Sequence, residues 1–337
     1  MALDLVPVWA TIMALAVFMY VLLDGFDLGV GILYPLAPST DARTLMMTSV
    51  APVWDGNETW LVMGGAGLFA AFPVAFAILM PALYFPILLL LLGLIFRGVA
   101  FEFRMKARRS RSRTGWSAAF FFGSLVAAFA QGLILGNYIH GFEVADARYA
   151  GTSWDWMKPF ALITGLGVIA GYALLGATWL VLKTEGELQV WARRMSLIAL
   201  WATAAFIVAV SAYSPFVHER VYERWFTAIN WLWLAPLPLA TAALFALAHR
   251  ALKRARSQVG PFLAALGIFA LCYLGLGISL FPYVVPHVLT LHEAAAVPQA
   301  QAFLLIGTLL LLPVILGYTG WSYWVFRGKV TQALGYH

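Results

Sequence analysis

The chain has 337 residues, 63% of them hydrophobic and only 11% charged, with a mean hydropathy of +0.86. An ordinary soluble domain is about 45–50% apolar and about 25% charged, so a soluble chain is excluded and an integral membrane protein is expected. The net charge of +6 does not point to nucleic acid, because the basic residues stand in loops beside apolar runs, where membrane insertion and anionic lipid favour them. The single cysteine, Cys272, excludes an intrachain disulfide and a thiolate metal cluster.

Apolar runs long enough to cross about 30 Å of hydrocarbon predict nine helices, at 6–28, 58–77, 79–101, 117–140, 159–182, 195–213, 227–249, 261–283 and 302–326. The expected fold is all-α, a single polytopic membrane domain over 1–337. The N-terminus has neither a basic n-region nor an A-x-A site, so the first run reads as a retained helix.

The first helix ends in "LLDGFDLG", which sets Asp24 and Asp27 three residues apart on one face. Gly25 and Gly29 form a small-xxx-small pair suited to close helix packing. "PVWDGNETW" at 52–60 opens the second helix with Asp55 and Glu58. Asp55 is placed to cap that helix, and Glu58 follows at capping-box spacing. Both suit the positive end of a helix dipole. The third helix closes with Arg97 and Glu102. The topology brings all six ionisable groups to the inner membrane face. Charges there are costly unless paired or hydrated, and they often mark proton pathways; capping alone does not explain why three helices bring charge to one level.

The stretch "RMKARRSRSRTGW" at 104–116 reads as a solvated inside loop. With the N-terminus outside, inside loops hold Arg43, Arg104, Lys106, Arg108, Arg109, Arg111, Arg113, Lys183, Arg193, Arg194, Arg250, Lys253, Arg254, Arg256, Arg327 and Lys329, which is 16 of the 21 basic residues. Outside loops hold only Arg148, Lys158, Arg220 and Arg224. That asymmetry fixes the expected orientation, with the C-terminus cytoplasmic.

The tryptophans, including Trp9, Trp116 and Trp225, gather near helix ends as an interfacial belt. His140, His218, His249, His287, His292 and His337 fall at helix ends or in loops, without metal-ligand spacing. Met13, Met19, Met63 and Met80 read as packing residues. No haem or metal site is therefore expected in this chain, and without a Walker loop or G-x-G-x-x-G nucleotide chemistry has no support.

"DGFDLGVG" (24–31), "PVWDGNETWLV" (52–62) and "LGLIFRGVAFEFR" (92–104), in this order, resemble subunit II of cytochrome bd-type quinol:oxygen oxidases. The short length is similar to the compact branch that includes cyanide-insensitive oxidases. The resemblance implies nine helices arranged as two four-helix bundles plus one peripheral helix, and pairing with a subunit I that carries the haems, b and d or b only. It implies reduction of O2 to water by quinol, with protons from the cytoplasm, in the bacterial inner membrane. By motif, Asp55 matches a proton-path acid, Asp24 or Asp27 the helix 1 acid, Arg97 a buried arginine and Trp60 a residue near the oxygen route. Glu58 stands where some relatives have glutamine. The resemblance leaves room for a structural quinone and for a small single-helix third subunit.

A proton-coupled secondary transporter is the alternative, since it too needs intramembrane acids and an arginine. Transporters tend to carry broken helices in two matched halves with charges at the midplane. Here the charges lie near one face, in the first third of the chain. A scaffold without chemistry is the third reading.

Overall fold

A computed structural model describes residues 4–107, 109–227 and 229–330; Arg108 and His337 lie outside the described residues, as does the side chain of Met105. Almost every element is helical, as the hydropathy requires: with no water in the bilayer core, backbone N–H and C=O groups must pair within their own helix.

α1 (Val6–Leu33) runs into a 3-10 turn at Tyr34–Leu36 and the short α2 (Thr40–Val50). α3 (Trp54–Ala71), α4 (Pro73–Ala82) and α5 (Tyr84–Lys106) follow, then α6 (Ser110–His140). A hairpin of β1 (Val144–Ala145) and β2 (Arg148–Tyr149) leads to α7 (Pro159–Lys183) and α8 (Gly186–Val217). Next come α9 (Glu219–Phe226), α10 (Asn230–Leu234), α11 (Pro236–Arg254) and α12 (Gly260–Leu280). A second antiparallel hairpin, β3 (Tyr283–Val285) with β4 (Leu289–Thr290), precedes α13 (Leu291–Ala294) and α14 (Pro298–Val325). Among the described residues, eight helical stretches are long and apolar enough to span a membrane.

The second predicted span, 58–77, differs most from its expectation. The helix begins at Trp54 and breaks at Phe72, whose φ of −133° and ψ of 62° are not helical, before Pro73 starts α4. Proline has no N–H and disfavours helical geometry in the preceding residue. The third predicted helix starts at Tyr84 rather than 79. Elsewhere helices outrun the predicted spans: α1 continues through the buried, apolar residues 29–33, α6 begins at the exposed Ser110, and α8 begins at Gly186. Apolar runs mark contact with hydrocarbon, while a polar helix extends past it freely.

α1, α3, α5 and α6 pack together, with α1 and α6 also against α7, while α7, α8, α11 and α12 form a second group and α14 lies on α3. Gly25 and Gly29 serve the packing expected of them, and the neighbour is α7. A Cβ on Gly29 would lie 1.8 Å from the Tyr172 carbonyl oxygen, and one on Gly176 would lie 2.3 Å from the Gly29 carbonyl carbon. The two backbones thus touch without side chains between them. Trp9 departs from the interfacial belt: it is buried, and its indole N–H donates to the Gln301 carbonyl at 3.2 Å, tying α1 to α14.

Candidate functional site

Asp24 lies farther from its helix end than the predicted span placed it. Because α1 extends to Leu33, Asp24 lies nine residues, or about 14 Å, before the helix end. Arg97 likewise lies nine residues before the end of α5.

Arg97 is completely buried and Asp24 is 1% exposed. One terminal nitrogen of Arg97 donates to Asp24 Oδ1 at 2.6 Å, and the other donates to Glu58 Oε1. A single guanidinium therefore ties α1, α3 and α5 together. The bidentate shape of arginine suits this bridging, which a lysine point charge does not reproduce. The guanidinium also lies 6.0 Å from the Trp54 ring centroid, and Trp54 stacks on Phe101 at 5.1 Å.

Asp27, also 1% exposed, accepts from Asn57 Nδ2 at 2.6 Å. Asn57 also donates to the Leu23 carbonyl at 3.3 Å, while its Oδ1 accepts from the Tyr323 hydroxyl at 2.9 Å, so α14 joins the site. Tyr20 stands one turn before Asp24; its hydroxyl accepts from Gln131 Nε2 at 3.0 Å, and the Tyr172 hydroxyl donates to Gln131 Oε1 at 2.5 Å. Asp24 Oδ2, Asp27 Oδ1 and Arg97 Nε have no hydrogen-bond partner among the described residues. Buried polar atoms without partners are uncommon and are often found at working sites or beside water.

Of the six charges expected together, four converge: Asp24, Asp27, Glu58 and Arg97. Asp55 does not enter the cluster. It is exposed and lines, with Glu58, Trp54, Leu91, Leu94 and Gly98, an open groove of about 400 Å³ between α3 and α5. Nor is Asp55 a side-chain cap: Val53 holds the cap position of α3 with no side-chain bond, and Asp55 stands one residue inside the helix. Glu58 turns to Arg97, so no capping box forms. Burial of Arg97 explains this, since a buried guanidinium claims any carboxylate in reach. Glu102 also stays out; it is exposed and pairs with Lys106 at 3.0 Å, one turn along α5.

Trp60 is 1% exposed and packs with Ala16 and Tyr20, lined by Met19, Met63, Leu312 and Ile315; its indole N–H has no partner among the described residues. It lies one turn beyond Asn57 on α3.

Sequence reading missed Asn57, Tyr20, Gln131, Tyr172 and Tyr323. Asn57 and Gln131 had a usable signal, as amides inside otherwise apolar helices. The tyrosines had none, because tyrosine is common in membrane helices.

Among the described residues no group of three or more His, Cys, Asp or Glu is placed to hold a metal. His140 ends α6, His218 caps α9, and His287 and His292 lie in or next to the second hairpin. Two expectations about the histidines change. His249 lies inside α11, which continues to Arg254, with its ring 5.6 Å from Trp201. His218 and His287, far apart in sequence, stack with centroids 3.4 Å apart.

The family described as cytochrome bd terminal oxidase subunit II matches residues 5–326. The chain is similar to cytochrome bd-I ubiquinol oxidase subunit 2 of Escherichia coli (strain K12), at 30% identity over 96% of this chain and 95% of the relative. It is equally similar to cytochrome bd ubiquinol oxidase subunit 2 of Bacillus subtilis (strain 168), at 30% identity over 96% of each chain. Among solved structures, the bd oxidase from Geobacillus thermodenitrificans has the same fold, with a TM-score of 0.75 at 18% identity, over 97% of this chain and 100% of the other.

Proposed function

Because the chain belongs to the cytochrome bd terminal oxidase subunit II family, we propose that it is the haem-free subunit of a quinol:oxygen oxidoreductase and conducts protons from the cytoplasm. Membership makes it part of an oxidoreductase complex and a multi-pass protein of the bacterial inner membrane. The transporter reading gives way to that membership.

The observation that carries the proton path is Arg97, buried completely and shared between Asp24 and Glu58 from two other helices. One guanidinium bridges two carboxyls, with a third, Asp27, held beside them by Asn57, so the cluster has sites that take and release protons while Arg97 keeps a counter-charge in place. The exposed Asp55 collects protons at the groove, and Glu58, half in the groove and half on Arg97, passes them inward. Asp24 and Asp27 lie beyond, each with a free carboxyl oxygen.

The chain as a whole is one polytopic domain over 1–337, with nine spans: α3 with α4 supplies the ninth beside the eight apolar helices. Two four-helix bundles, α1, α3, α5, α6 and α7, α8, α11, α12, stand beside a peripheral α14. The N-terminus is outside and the C-terminus cytoplasmic. The haems, b and d or b only, belong to the partner, subunit I, and supply the oxygen chemistry there; this chain alone does not turn over. Trp60, among small and sulfur-bearing side chains, borders an apolar oxygen route. The exposed apolar surfaces leave room for a structural quinone and for a small single-helix subunit.

Asp55→Asn in the assembled complex tests the reading. It removes a titratable group from an exposed position where the side chain makes no cap. The expected complex keeps its haem absorption and loses most of its quinol turnover. Unchanged turnover with full haem content would refute the role of Asp55.

A further inference from the structure

The inner end of α5 carries a second buried arginine that the proton path does not use. Arg104 is 3% exposed. Its Nε donates to Ser117 Oγ at 3.0 Å, and its guanidinium lies 5.5 Å from the centroid of the Tyr34 ring. The Tyr34 hydroxyl lies 3.3 Å from the same Ser117 oxygen. These contacts fix the guanidinium between the turn after α1 and the start of α6. They satisfy one of its five N–H groups. The two terminal nitrogens have no acceptor among the described residues.

The charged neighbours of Arg104 make matters worse rather than better. Arg113 on α6 joins the same knot, its carbonyl accepting from the Ser117 hydroxyl at 2.8 Å, and Arg43 on α2 reaches the carbonyl of Pro35, the residue after Tyr34. Arg43 donates to that carbonyl at 3.1 Å, and its own buried Nε has no partner among the described residues. The four ion pairs among the described residues involve Arg97, Lys106 and His292, and none involves Arg43, Arg104 or Arg113. A buried cation needs a counter-charge, and this one sits in a cluster of three cations on three elements. Among the described residues no carboxylate pairs with Arg104, and its terminal nitrogens, unlike Arg43 Nε, are not shut off from solvent, so an anion from outside the chain can reach them.

The position says what kind of anion fits. Trp116, stacked at 5.1 Å on Phe103, the neighbour of Arg104, is a residue type that favours the membrane–water boundary. At that depth the abundant anion is the headgroup phosphate of a lipid, and basic pockets between helices on the cytoplasmic side bind such headgroups. A guanidinium with both terminal nitrogens free matches phosphate oxygens in a bidentate pair. We propose that Arg104, Arg43 and Arg113 form a binding site for the phosphate of an anionic phospholipid. The site goes beyond the proton path; only its assignment to the cytoplasmic leaflet rests on the orientation given above. "RMKARRSRSRTGW" is then no merely solvated loop: its first arginine faces lipid phosphate, and Arg113 adds to the field.

Native mass spectrometry of the intact complex, exchanged through nanodiscs of phosphatidylcholine containing graded phosphatidylglycerol, reads the site directly. Wild type is expected to retain a phosphatidylglycerol that Arg104→Gln loses, with apparent affinity reduced by about ten-fold or more. Arg104→Lys is expected to recover only part, since lysine keeps the charge but not the fork. Inorganic phosphate at the same concentration is expected not to displace the lipid. Equal retention by wild type and Arg104→Gln would overturn the proposal, as would displacement by inorganic phosphate alone. If Arg104→Gln does not assemble, Arg43→Gln decides, because its side chain is only partly buried: a retained lipid at wild-type affinity would overturn the site.

Discussion

Arg97→Gln tests the geometry of the buried cluster most severely. In the native structure Arg97 lies 2.6 Å from Asp24 Oδ1, and both side chains are shut off from solvent, at 0% and 1% exposure. Unit charges about 4 Å apart attract by about 4 kcal/mol at an effective dielectric constant near 20. Removing one member of such a pair leaves a bare buried charge and costs about 3–5 kcal/mol. Glu58 should contribute little to that loss, since its side chain is 26% exposed and turns readily to groove water. The burden therefore falls on Asp24. Adding Asp24→Asn to Arg97→Gln removes the stranded charge, so the double variant should be more stable than Arg97→Gln alone. The expected coupling is about 2 kcal/mol or more for Arg97 with Asp24 and below about 1 kcal/mol for Arg97 with Glu58. Denaturant or thermal titration of the purified complex, following haem absorption and native-gel mobility for all four corners of each cycle, provides the numbers. Additive effects of Arg97→Gln and Asp24→Asn would refute the buried pair.

Other parts of the fold make separate predictions. Gly29→Ala places a Cβ 1.8 Å from the Tyr172 carbonyl oxygen, forcing α1 from α7 at about 1–3 kcal/mol or more. Gly56→Ala, with nothing within 4 Å of the added carbon, should be near neutral; equal yields of both variants would contradict the α1–α7 crossing. His287 is held at a pKa of about 4 by burial, by the stacked His218, and by Arg220 and His140 nearby; Lys158, 3.1 Å from His140, adds positive charge. Its folded value lies below the unfolded value of 6.5, so the unfolded chain takes up the proton first. Stability should fall as pH drops from about 6.5 and level off below about 4. Hydrogen exchange of residues 281–294 measures this, and His287→Asn should flatten the pH dependence; a profile unchanged by the substitution would count against it. Finally, this chain expressed without its partner should carry no stoichiometric haem, and an absorption spectrum of the purified chain checks that.

Hydropathy carried the architecture because a lipid-facing surface leaves few alternatives to helix. It could not carry helix ends, since residues such as Ser110–Thr114 extend a helix into water without any apolar signal. The break at Phe72 has a local signal in Pro73, which the continuous apolar run around it masks. Within the site, the i, i+3 spacing of Asp24 and Asp27 and of Asp55 and Glu58 located the acids. It could not tell which would turn inward. That choice depends on Arg97, which arrives from another helix and draws in Glu58 while leaving Asp55 in the groove. Tyr323 was invisible for a similar reason, as nothing in its own helix indicates that α14 lies on α3.

We propose that protons reach the oxidase through the cluster around Arg97, with Glu58 as the relay between groove and core. Glu58→Gln keeps the size of the side chain and a hydrogen-bonding group toward Arg97 while removing the titratable proton. The direct measurement is proton uptake after an oxygen pulse to the quinol-reduced complex in detergent, followed with a pH-indicating dye alongside haem oxidation. Glu58→Gln is predicted to bind the normal haem complement and oxidise it in the first, proton-independent phase at the normal rate, with uptake slowed at least about ten-fold. Proton uptake at the wild-type rate in a fully assembled Glu58→Gln complex would contradict the claim.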